Sequence, residues 1–147
     1  MTGQHADKRE RMRRTLSVSA QEASLFARMS GDMNAIHHDE SGARAAGFDS
    51  IVLSGTQLSA LLMGLTATHF SCPGPAGDRT MLGLEFRFRF RRAVLADEPI
   101  ELAWDVVAVQ PKPTLRGELV LLAGQIRNAA GEQAVRAVGK VLVRAAR

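Results

Sequence analysis

Three polar side chains, Asp32, Asn34 and His37, fall within six residues directly after Gly31. A carboxylate and an imidazole this close can take up and return a proton, and an amide between them can hold the loop or orient a carbonyl. Aspartate and asparagine beside glycine also serve ordinary turns, so the cluster gains meaning from what surrounds it. An amphipathic stretch precedes it, and Ser54-Gly55-Thr56 follows, opening the most hydrophobic segment of the chain. That helix start can supply the remaining element of an acyl-transforming site, because helix N-termini leave backbone N–H groups unpaired.

The elements that must position these residues are legible in the patterning. Ser19-Ala20-Gln21-Glu22 matches a capping box, and residues 20–29 continue as a helix with Ala23, Phe26 and Ala27 on one stripe, stopped by Gly31. Thr15 to Val18 reads as a short strand, and residues 32–54 as irregular with a helical turn around Ser41 to Ala46. Thr56 to Phe70 is apolar on nearly every face and is expected to be a helix buried almost all round. Four β-like stretches follow: Leu84–Phe90, Ile100–Ala108, Arg116–Arg127 and Val135–Val143. Phe86, Phe88 and Phe90 alternate with Arg87 and Arg89, so one face should pack on the helix while the other is wet. Met63 and Trp104 read as core residues. Gln110–Gly117 and Asn128–Gly131 read as hairpin turns. A buried helix followed by antiparallel strands implies an α+β fold whose sheet curls round the helix. One sheet leaves the helix incompletely covered and an edge strand open, so a homodimer is expected.

Composition bounds the partners. At 147 residues the chain reads as a single domain over 15–147, with residues 1–14 a basic, mobile leader. The net charge of +4 permits contact with phosphates, yet the run Lys8–Arg14 has no aromatic interleaving and no nucleic-acid motif beside it. The apolar run Leu58–Ala67 is too short to span a bilayer. A lone cysteine, Cys72, excludes an intramolecular disulfide and suits a reducing cytosol, and a loop thiol three residues from His69 needs no catalytic role. The reading is a cytoplasmic protein that binds neither nucleic acid nor membrane. With no ligand-spaced His/Cys cluster and no glycine-rich dinucleotide fingerprint, neither a metal nor another cofactor is implied.

The run Phe26-Ala27-Arg28-Met29-Ser30-Gly31-Asp32-Met33-Asn34-Ala35-Ile36-His37 resembles the signature of the MaoC-like, (R)-specific enoyl-CoA hydratases. Ala46-Gly47-Phe48 and Ile51–Gly55 resemble that family's link into its central helix, and Phe86–Val94 and Gly131–Val143 its later strands. The resemblance implies the hot-dog fold and reversible hydration of an acyl thioester. It makes Asp32 and His37 the acid/base pair and the Gly55 N–H the donor to an enolate-like oxygen. Asn34, Ser54 and Thr56 would position substrate or loop, with His38 outside the pattern. The thioester would be carried by CoA or by an acyl carrier protein, and Arg87, Arg89 and Arg91 are candidates to meet either carrier. Two departures stand out: Ala35 replaces a proline and Ser54 a histidine. They leave open a biosynthetic tailoring dehydratase or cyclase, such as one in polyketide assembly, and a non-catalytic acyl-thioester-binding protein.

Overall fold

The computed structural model describes residues 5–74 and 77–147. Strand β1 spans Arg11–Leu16, helix α1 Ala20–Met29, a 3-10 turn Ala35–His37, α2 Glu40–Ala45 and α3 Gly55–Phe70. Strands β2 (Arg79–Phe90), β3 (Ile100–Lys112), β4 (Gly117–Arg127) and β5 (Gln133–Ala145) complete the chain. All pair antiparallel in one sheet of order β1-β3-β4-β5-β2, which leaves β2 at an open edge.

The strand registers slip between Gly83 and Glu85 in β2, between Val106 and Ala108 in β3 and between Ile126 and Arg127 in β4. Such bulges raise the local twist, and the sheet wraps α3. Ile100, Leu102, Trp104 and Val106 of β3 are buried with Leu58, Leu62 and Phe70 of α3. The Trp104 indole N–H donates to the Leu62 carbonyl at 2.8 Å, tying mid-helix to mid-sheet. The ring fits only because β4 carries Gly124 beneath it, where any Cβ would collide with the indole.

Three expectations change. The break placed at residue 14 falls inside β1, which starts at Arg11 and pairs with β3 from Arg11↔Asp105 to Leu16↔Ile100. Residues 5–10 also belong to the fold, since Ala6 is buried and the Glu10 carboxylate pairs with Arg79 at 2.8 Å and His69 at 2.5 Å. The mobile-leader reading is therefore wrong for residues 5–14, and residues 1–4 lie outside those described. Secondly, α3 is not covered all round within one chain: Thr56, Ala60, Met63 and Gly64 are exposed, and Met63, read as core, is 39% accessible. Thirdly, of the β2 phenylalanines only Phe86 and Phe88 pack against the core, while Phe90 remains 53% exposed.

Candidate active site

The Asp32 loop is built on α1. Ser19 Oγ accepts the Glu22 N–H at 3.1 Å and Glu22 returns a bond to the Ser19 N–H at 2.8 Å, so the capping box is formed. Ala23 and Ala27 face inward with no exposure, which seats α1 firmly. Gly31 then takes φ +76°, a left-handed conformation that suits glycine, and the chain reverses so that the Asp32 N–H reaches the Ala27 carbonyl at 2.8 Å. Asn34 caps the 3-10 turn through an Oδ1 bond from the Ile36 N–H at 3.4 Å.

The turn delivers His37 inward. Its ring is buried, and Nδ1 lies 2.6 Å from the Val52 carbonyl oxygen. A carbonyl only accepts, so Nδ1 carries the proton, leaving Nε2 to face Asp32 Oδ2 at 3.3 Å. Asp32 Oδ1 meanwhile accepts the Asn34 N–H at 3.0 Å, and the carboxylate side chain is 34% exposed. One carboxylate oxygen is thus committed to the loop and the other to the imidazole. The pair attracts when a proton sits on Nε2 and can pass that proton to a neighbour, as an acid/base unit requires.

Val52 and Leu53 lead into α3 through backbone bonds to Ile36 and Val94. Ser54 is the N-cap, buried, its Oγ accepting the Gln57 N–H at 3.1 Å. Gly55 is the first helical residue, and among the described residues its N–H meets no acceptor. His37, Gly55, Phe48, Leu58, Phe90 and Arg91 line one open cavity of about 390 Å³. The Phe90 ring lies over Gly55, 3.0 Å from where a Cβ would stand, so any larger residue at 55 meets that ring.

The site residues read from sequence divide accordingly. His37 and Gly55 share the cavity and Asp32 touches His37, while Asn34 and Ser54 act as caps and Thr56 faces outward. The arginines do not act as one ladder. Arg87 and Arg89 lie with Arg136 in a separate groove, whereas Arg91 and Arg92, just past the end of β2, reach the cavity. Arg92 pairs with Glu132 at 3.0 Å and Arg91 donates to Gln133 at 3.2 Å. Phe90 was not named for this site, although the end of the Phe/Arg alternation at Phe90 marks where the strand turns. A larger concavity of about 660 Å³ lies between the N-terminal segment and the β3–β4 hairpin. There Asp7 is held by Arg9 and Glu118 by the His5 and Ala6 amides, so neither carboxylate faces a proton-transfer partner.

Among the described residues no group of three or more His, Cys, Asp and Glu side chains is placed to hold a metal ion, and no helix is long and apolar enough to cross a membrane.

A long central helix wrapped by a five-stranded antiparallel sheet is the hot-dog fold, and known structures share it. The (R)-hydratase from A. caviae involved in PHA biosynthesis superposes with a TM-score of 0.80 at 22% identity, covering 98% of this chain and 100% of that one. R-hydratase PhaJ1 from Pseudomonas aeruginosa gives 0.80 at 26% identity, over 96% of this chain and 84% of its own. The HadBC (3R-hydroxyacyl-ACP dehydratase) complex of Mycobacterium tuberculosis gives 0.75 at 20%, over 94% and 98%. In sequence, a UPF0336 protein of Streptomyces avermitilis is 24% identical over 137 residues, 88% of this chain and 85% of that protein. The MaoC like domain family matches residues 2–120, and the chain belongs to that family of hydratases and dehydratases.

Proposed function

We propose that the protein reversibly hydrates an enoyl thioester to its 3-hydroxyacyl counterpart, with Asp32 and His37 as the proton-handling pair. The observation that carries this reading is the buried His37 ring, whose Nδ1 is committed to Val52 so that Nε2 faces Asp32, beside the unpartnered Gly55 amide in the same cavity. In the hydration direction, water oxygen bonds to the β-carbon as its proton passes to the pair. The α-carbon gains a proton, and the negative charge that builds on the thioester oxygen meets the Gly55 N–H. Helix-start polarity and the absence of a competing acceptor favour that donor. Neither step calls for an electron acceptor.

Arg91 and Arg92 stand at the cavity, and their charge suits the phosphates of CoA or of a carrier-protein arm. The Phe90 ring beside Gly55 favours a compact acyl group near the thioester. The open edge of β2 and the exposed stripe of α3 support a homodimer in which a second copy covers both.

The test is turnover of crotonyl-CoA, followed by loss of the enoyl absorbance. Asp32→Asn should lower kcat by roughly 10²- to 10⁴-fold, the usual worth of a positioned acid/base group. Full activity in that variant sinks the assignment. Tight acyl-CoA binding with no product from the wild type would instead mark a binding protein. Turnover restricted to a carrier-bound or elaborated acyl chain would mark a tailoring dehydratase.

A further inference from the structure

His38 stands next to the proposed catalytic histidine, outside the recognisable motif, and its ring turns away from His37. His38 Nε2 lies 2.7 Å from the Asp32 carbonyl oxygen and Nδ1 lies 2.7 Å from Ser24 Oγ on α1. The carbonyl only accepts, so Nε2 bears the proton; a neutral ring then accepts at Nδ1, and the Ser24 hydroxyl donates. The two contacts join the Asp32 peptide to a rigid helix. The other end of that residue is already fixed to α1, one turn further along, by the bond from the Asp32 N–H to Ala27.

Asp32 is therefore gripped by consecutive imidazoles: His37 at its carboxylate and His38 at its carbonyl. The second grip matters because the loop is otherwise lightly built. Gly31 precedes Asp32, Ala35 stands two residues beyond Met33 without the φ restriction of proline, and Met33 and Asn34 are exposed. A rotation of the 32–33 peptide would swing the carboxylate relative to His37 Nε2, and nothing else among the described residues donates to that carbonyl.

We propose that His38, oriented by Ser24, is a positioning residue that sets the Asp32 carboxylate for proton transfer. The role rests on the hydration reading and acts wholly through Asp32. Misplacing a reacting group by about 1 Å costs on the order of a hundredfold, so His38→Leu should lower kcat for enoyl-thioester hydration by roughly ten- to a hundredfold with KM nearly unchanged. His38→Gln, whose amide N–H can still reach the Asp32 carbonyl, should recover most of that rate. Ser24→Ala keeps the ring but frees its orientation and should give an intermediate loss. In an Asp32→Asn background His38→Leu should remove nothing further, because a residue that acts through Asp32 has no target left.

These variants are assayed on the full-length chain, with thermal melts alongside. Wild-type kcat in His38→Leu, with Asp32→Asn inactive, overturns the positioning role and leaves the hydration reading intact. A His38→Leu loss that persists in the Asp32→Asn background also overturns it. If His38→Leu fails to fold, Ser24→Ala and His38→Gln carry the comparison, and equal wild-type rates in both overturn the role. Absence of turnover in the wild type on CoA and carrier-bound enoyl thioesters fells the hydration reading itself and the positioning role with it.

Discussion

Replacing Ala35 by proline asks how far the loop that carries Asp32 and His37 is preorganised by its backbone. The preceding residue, Asn34, has φ −62° and ψ 122°, in the extended region that a following proline requires. Ala35 is the first residue of the 3-10 turn, where the ring's fixed φ is compatible and a missing N–H is tolerated. Among the described residues the Ala35 N–H donates to nothing, whereas its carbonyl accepts from the His38 and Asp39 amides at 3.0 Å each, bonds that proline retains. The substitution then removes no native interaction and narrows only the unfolded ensemble, for a gain of about 0.4–1 kcal/mol. In a chain of this size that corresponds to a rise in Tm of roughly 1–4 °C, measured by scanning calorimetry and checked by urea titration at constant slope. The nearest obstacle is α2, where a Cβ on Gly42 would lie 2.8 Å from the Ala35 Cβ. A fall in Tm would refute the reasoning, showing that the ring strikes α2 or that the Ala35 N–H is in use.

Gly124→Ala should destabilise by about 1–3 kcal/mol through overpacking under Trp104, seen as a lower urea midpoint; an unchanged midpoint would mean the indole can move aside. Gln57 buries its Oε1 with no partner, so Gln57→Met, close in volume, should raise stability by roughly 1 kcal/mol. A loss there would reveal a partner for that oxygen. Glu10 carries a pH dependence: burial would raise its carboxyl, but bonds from Arg79, the Asp7 amide and His69 together hold it below its usual value. The unfolded chain then binds the proton more readily, so this contribution is complete above the ordinary glutamate range and is lost as pH falls below it. Glu10→Gln should lower stability at neutral pH and flatten part of the acid limb of a Tm–pH curve; an unaltered limb would remove Glu10 from that account.

The elements nearest the site were legible because their signals are local. The capping box at Ser19 and Glu22 and the stop at Gly31 define α1, and strict alternation defines the strands on either side of Trp104. Adjacent chain is also what places Asp32 beside His37. What stayed hidden depends on distant partners. The arginines of residues 9–14 looked like a solvated run, yet Met12 alternates inward and Arg13 meets Asp105 across β3, 92 residues away. The bare stripe of α3 was invisible because apolar content says how much of a helix seeks cover, not which side its own chain covers. His38 gave no signal, since its partner Ser24 lies on the preceding helix and only the reversal at Gly31 brings them together.

The bond from Trp104 to the Leu62 carbonyl also has a mechanical meaning. It ties the middle of α3 to β3, beside the ties that His69 makes to Glu10 and Arg79 at the far end, and so resists a slide of the helix along the sheet. Gly55 lies seven residues away, about 10 Å at the helical rise. A disturbance at the far end of the helix, near His69 and Phe70, meets this tie before it reaches Gly55. The mid-helix tie thus stands between the end of α3 that anchors the N-terminal segment and the amide that faces the cavity, and it steadies the second against changes at the first.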